Sequence, residues 1–148
     1  MTLMLNPGAQ ALAIGACLSA VAAVAHLACI VVGAPAYRFM GAGDKMTRAA
    51  EAAKVQPTLV TLAIAGVLLV WAGYALLGAG IIDRLPFTKL ALLVICSVYI
   101  VRAVAFPLLK AVFPGNSETF WLVSSGICLF IGLVHAYGLA LLWQVLEE

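Results

Sequence analysis

The chain is short of charge. Only 9% of its 148 residues are Asp, Glu, Lys or Arg, against 66% hydrophobic. An ordinary soluble domain carries about 25% charge. With so few polar side chains a water-facing surface cannot be covered, and lipid is the expected solvent over much of the chain. The formal net charge of +2 is too small to point to a nucleic-acid partner. Acidic residues are missing from every long apolar run. That absence removes the carboxylate on which proton relays and proton-coupled exchangers usually depend. The four cysteines, Cys17, Cys29, Cys96 and Cys128, form no CxxC pair, so they read as small core residues rather than a redox centre. The opening stretch MTLMLNPGAQ holds no Lys or Arg. The apolar run after it is too long for the core of a signal peptide, so a retained span is expected there.

What the chain has in quantity is apolar runs of membrane length. A span takes about 20 such residues, and four stretches qualify: about 11–32, 58–77, 88–108 and 119–145. Each opens on a helix-start or chain-turning signal: Asn6-Pro7, Gln56-Pro57, Asp83 with Pro86, and PGNSE, where Asn116 or Ser117 can cap. The expected fold is all-α: one membrane domain over 1–148, a compact bundle of four transmembrane helices. Short links join spans two to three and three to four, so those pairs should be antiparallel neighbours. Gly66 and Gly73 in the second run, and Gly126, Gly132 and Gly138 in the fourth, are expected to let helices approach closely.

The first loop is the long one. Asp44 is placed to cap a short helix, about 44–54, whose charges fall mainly on Lys45, Arg48, Glu51 and Lys54. That spacing fits a helix lying at headgroup level, or equally a solvated connector. The side holding the first and third loops carries Arg38, Lys45, Arg48, Lys54 and Lys110; the other carries Arg84 and Lys89. Five cations against two make the first side cytoplasmic and put both termini outside. The Ala/Gly/Val-rich composition suits a bacterial inner membrane. LVWAGYALL from Leu69 and LVHAYGLALL from Leu133 are alike, which leaves a doubled two-helix hairpin open as an origin.

Ionisable groups inside spans are costly, and are the first places to look for function. Here they are His26, Arg102 and His135. A haem held by both histidines is excluded by depth. His26 lies late in a descending span and His135 late in an ascending one, about 14 Å apart along the membrane normal. The same separation, with no third ligand cluster, argues against a metal site. No cofactor is expected. As a single residue, each histidine reads first as a neutral, hydrogen-bonded packing group.

Arg102 sits about 21 Å along the third span, in its cytoplasmic half. Pro107 cannot donate to the carbonyl of Ala103, so a kink or stop near Phe106 would leave Arg102 in the last regular turn. Two roles follow. Arg102 is a headgroup anchor, snorkelling outward from a helix end whose dipole favours a cation. Alternatively it faces inward and binds an anionic head group or a quinone carbonyl. The inward pocket would gather His26 and Tyr99 from the spans, with Tyr37, Arg38 and Gln56 from the first loop; His26 is its one candidate acid/base.

Small four-span families supply no match. The intramembrane glutamate of small multidrug exporters, the paired cysteines of membrane disulfide oxidases and the Glu-Arg and Asn pattern of membrane glutathione transferases are all missing. The expected function is lipid or partner binding, with membrane lipid, a second copy or another membrane protein as partner. The alternative is an enzyme or carrier for an anionic amphiphile at Arg102.

Overall fold

The structure, a computed structural model, describes residues 6–83 and 85–146. Arg84, one of the two cations counted on the sparser side, and the first five residues lie outside that range. Helices make up most of the described chain, and no strand occurs among the described residues. They are α1 (Pro7–Val32), α2 (Ala34–Phe39), α3 (Asp44–Glu51), α4 (Val55–Gly78), α5 (Thr88–Val104), α6 (Phe106–Val112) and α7 (Glu118–Leu141). By length and composition α1, α4 and α7 can each cross a membrane. The pair α5 and α6, bent by 66°, makes a fourth crossing if it is one span.

Local chemistry explains the ends. The Asn6 side chain accepts a hydrogen bond from the Gly8 amide at 2.8 Å, and Pro7 opens α1; a proline costs nothing there because its amide would have had no helical partner. At α7 the cap is Ser117, whose Oγ accepts from the Phe120 amide at 3.1 Å. Asn116, the other candidate cap, donates instead to the Gly41 carbonyl at 3.1 Å and ties the third loop to the first. Asp44 does not cap α3. It lies inside the first turn, and Gly43 holds the cap position at φ +84°, a left-handed conformation that glycine adopts freely. The helix also stops at Glu51 rather than 54. Ala53 turns left-handed at φ +50° and Lys54 becomes the residue before α4.

The long helices form a ring. α1 packs on α4 and α7; α5 closes it against α7 and, less extensively, α4. Both expected antiparallel neighbours are in contact, but the α4–α5 seam is the looser. A groove of about 300 Å³ runs along it, lined by Val70, Trp71, Tyr74, Leu90 and Val94 among others. At one end of the ring Leu12, Leu92 and Leu142 are fully enclosed. The outward faces carry exposed Val21, Val31, Leu59, Val67 and Phe130, an apolar belt that fits a lipid surround.

The glycine expectation needs correction. A Cβ on Gly66, Gly73 or Gly126 would meet nothing within 4 Å, so these three do not serve contacts inside the bundle. Close approach occurs at Gly132 and Gly138, as expected, and also at Gly8, Gly15 and Gly78. Helical spacing alone could not tell which face of each helix turns inward.

At the other end of the ring lie α2, α3 and α6. Tyr37 is buried, and its hydroxyl accepts from Thr61 Oγ1 at 3.1 Å, which docks α2 on the start of α4. Arg38 pairs with Glu51 at 3.0 Å on the exposed surface, and Lys110 pairs with Glu118. Exposed pairs of this kind add little stability.

Candidate functional site

Along α7, Trp121, Ser125, Cys128, Gly132 and His135 recur at intervals of four and three residues, which places them on one face. That face turns inward: Trp121, Ser125, Gly132 and His135 are buried and Cys128 is half-buried. The ring's interior is therefore polar along one wall, from the loop end to mid-bundle.

At mid-bundle the wall meets Tyr99 of α5. The His135 ring stacks on Tyr99, with centroids 5.7 Å apart and planes at 28°; Trp71 of α4 meets the same tyrosine edge-on at 5.1 Å. The two similar stretches in the sequence thus supply two partners of one ring. The Tyr99 hydroxyl lies 3.0 Å from Ser19 Oγ of α1, and both residues are buried. His135 is 0% exposed, with Nδ1 2.9 Å from the Ile131 carbonyl oxygen. A carbonyl only accepts, so Nδ1 carries the proton, and in the neutral ring Nε2 is left as an acceptor. Nε2 has no hydrogen-bond partner among the described residues. Gly15 of α1 faces this ring: a Cβ there would come within 2.7 Å of its Cε1.

Arg102 lies one turn beyond Tyr99, in the last turn of α5 before the bend at Ala105. It is half-buried and points across to α7. Its Nη2 donates to Ser124 Oγ at 3.4 Å, and its guanidinium carbon sits 5.5 Å from the centroid of the Trp121 ring. Its Nη1 is buried, as are Trp121 Nε1 and Ser125 Oγ, and none of the three has a hydrogen-bond partner among the described residues. Among the described residues no acidic side chain pairs with Arg102. A guanidinium is permanently charged, so the seam between α5 and α7 holds a fixed positive charge. Two groups that can only donate, the guanidinium and the indole, share it with a hydroxyl that can do either.

The other residues grouped with Arg102 on sequence grounds are dispersed in their hydrogen bonding. Tyr99 is engaged with Ser19 and His135. His26 is half-buried, and its Nδ1 bonds the Ala22 carbonyl of its own helix at 2.7 Å. Tyr37 is held by Thr61, Arg38 by Glu51, and Gln56 is exposed. Gly15 touches His135, and His26 lies eleven residues further along α1, about 16 Å away by helical rise. The two histidines therefore share no site. No group of three or more potential metal ligands occurs among the described residues.

Trp121, Ser124 and Ser125 were not singled out in the sequence, although a signal existed. Polar residues spaced by four and three along an apolar helix mark one face, and that face had to turn toward protein if the helix lies in lipid. Comparison with protein families, curated proteins and solved structures finds no match.

Proposed function

We propose that this chain is a multi-pass membrane protein that binds an anionic amphiphile by its head at the seam between α5 and α7. One observation carries the reading: Arg102, in an apolar helix, buries Nη1 without an acceptor while Ser124 and Trp121 hold the rest of its guanidinium in place. A guanidinium with one nitrogen buried and unpaired is costly, and an anionic oxygen is the partner that offsets the cost. The place suits an amphiphile. The bend at Ala105 ends α5 beside Arg102, so a head could enter at the membrane surface while its tail stays in lipid. α6 supports this surface position with exposed Leu108 and Val112 beside Lys110, and α3 with its exposed charges. The five-to-two cation bias favours a cytoplasmic surface, and the composition favours a bacterial inner membrane, with the termini on the far side.

The test is the variant Arg102→Gln, purified beside the parent in the same mild detergent. Native mass spectrometry should show at least a fivefold loss of co-purified acidic lipid, with the helical signal retained. Equal lipid retention in both would overturn the reading.

A second reading, contact with a second copy or another membrane protein, has its own support. Gly66 and Gly73 lie seven residues apart on α4, and no other described part of the chain comes within 4 Å of either Cβ position; small outward residues favour helix association in lipid. Cysteine crosslinking through Gly66 in native membranes tests it; recovery of monomer alone counts against it.

A further inference from the structure

The proposed site has more donors than a lone arginine needs, and this sharpens what it would take. Trp121 is 2% and Ser125 8% exposed. Trp121 Nε1, Ser125 Oγ and Arg102 Nη1 each have less than 1 Å² accessible and no hydrogen-bond partner among the described residues. Trp121 and Ser125 are one turn apart on the same face of α7, so their side chains start about 5–6 Å from each other. Arg102 reaches toward that turn from α5 and stands over the indole. Ser124, between them in sequence, holds the other guanidinium nitrogen.

Burying a polar group without a partner costs about 1–3 kcal/mol, and more for a charged group. Three such groups clustered at one seam make a costly arrangement. It becomes favourable when α5 and α7 part enough for a ligand rich in acceptors to enter. A quinone carbonyl offers a single oxygen. A carboxylate offers two oxygens in one plane, and a guanidinium in its bidentate mode takes both. A phosphate monoester offers three terminal oxygens spread tetrahedrally, so donors from two helices can each reach a different one.

We infer that the head bound at this seam is a phosphate group, with Arg102 Nη1, Trp121 Nε1 and Ser125 Oγ each donating to a terminal oxygen. This rests on the Arg102 reading above and adds the ligand class and two binding residues. The phosphate belongs either to a lipid or to a small soluble ester, and the shared chemistry is the same.

The experiment uses the full chain in nanodiscs of neutral lipid, doped in turn with phosphatidic acid, a long-chain fatty acid or a ubiquinone, and separately exposed to inorganic phosphate. The variants are Trp121→Phe and Ser125→Ala, which keep shape and delete a donor, beside Arg102→Gln. Trp121→Phe and Ser125→Ala should each weaken phosphatidic-acid binding about tenfold, the loss of one hydrogen bond to a charged group, and leave fatty-acid and quinone binding unchanged, whereas Arg102→Gln should weaken both the phosphatidic acid and the fatty acid. Phosphorus NMR on the parent protein should show the phosphatidic-acid resonance shifted, which needs no variant to fold. A parent that binds the fatty acid or quinone as tightly as phosphatidic acid overturns the phosphate assignment. If Arg102→Gln loses the lipid while Trp121→Phe and Ser125→Ala bind normally, the inference fails and the Arg102 reading stands. If Arg102→Gln also binds normally, both fail. Inorganic phosphate that binds as tightly as phosphatidic acid, with the same loss in all three variants, supports the assignment and names a soluble source.

Discussion

Replacing Gly15 by alanine probes the tightest helix crossing at the polar mid-bundle. A Cβ at position 15 would stand 2.7 Å from His135 Cε1, 2.9 Å from Nδ1 and 3.0 Å from Nε2. Carbon contacts settle near 3.5–4.0 Å, so the ring has to retreat by most of an ångström. Its room is restricted. Nδ1 is bonded to the Ile131 carbonyl, and the ring stacks on Tyr99, which is itself held by Ser19 and Trp71. Overpacking of this kind costs about 1–3 kcal/mol. Alanine returns about 0.5–1 kcal/mol through its better helix propensity. The expected net loss is about 1–2 kcal/mol. With His135 already changed to alanine the obstruction is gone, and the same Gly15→Ala step should be neutral or stabilising by up to ~1 kcal/mol. The coupling between the two changes is then the overpacking cost itself, about 1–3 kcal/mol. Reversible unfolding of the four proteins in mixed micelles measures it. If Gly15→Ala costs the same with and without the His135 ring, the crossing is not set by that contact and the reasoning fails.

Two further outcomes follow from the geometry. Tyr99→Phe strands the buried Ser19 hydroxyl and should cost about 1 kcal/mol, since hydrogen bonds between membrane helices are modest; adding Ser19→Ala should restore most of it in the same unfolding assay, and a purely additive loss would contradict the pairing at 3.0 Å. Pro107→Ala returns the amide that can reach the Ala103 carbonyl, so the 66° bend between α5 and α6 should narrow. Spin labels on the exposed positions Val94 and Val112 would then report a longer separation, and an unchanged distance would show that loop packing sets the bend.

Much of the architecture is legible in the chain because its causes are local. Four apolar runs, the Asn6-Pro7 start, the Ser117 cap and the break before Pro107 depend on residues within a turn or two of each other. The short helix after Gly43 was legible too, but its cap was misplaced by one residue, because Gly43 and Asp44 both suit a helix start. The candidate site was legible only in part. Arg102 stood out since a lone cation in an apolar run is conspicuous anywhere. Its companions did not, because Trp121 and the two serines are ordinary residues of a span until something places them opposite a guanidinium. The residues grouped with Arg102 by depth, as His26 was, or by their place in the first loop, as Tyr37 and Gln56 were, make their hydrogen bonds elsewhere or lie exposed. Depth along a helix is a sequence quantity, whereas the direction around its axis depends on which neighbour it packs against.

By itself the sequence determined the apolar character of the surface, the number and approximate limits of the long helices, and the last-turn position of Arg102. Composition, periodicity and proline geometry act through the chain's own neighbours. Tertiary structure alone decided that Arg102 turns to α7 and that Trp71 and His135 meet on Tyr99. It also decided that Gly15 and Gly132 mark close crossings while Gly66, Gly73 and Gly126 look outward. Those outcomes depend on helix rotation. In an apolar surround every face of such a helix is nearly equal in burial energy, so the choice falls to steric fit and to a few polar contacts between residues far apart in the chain.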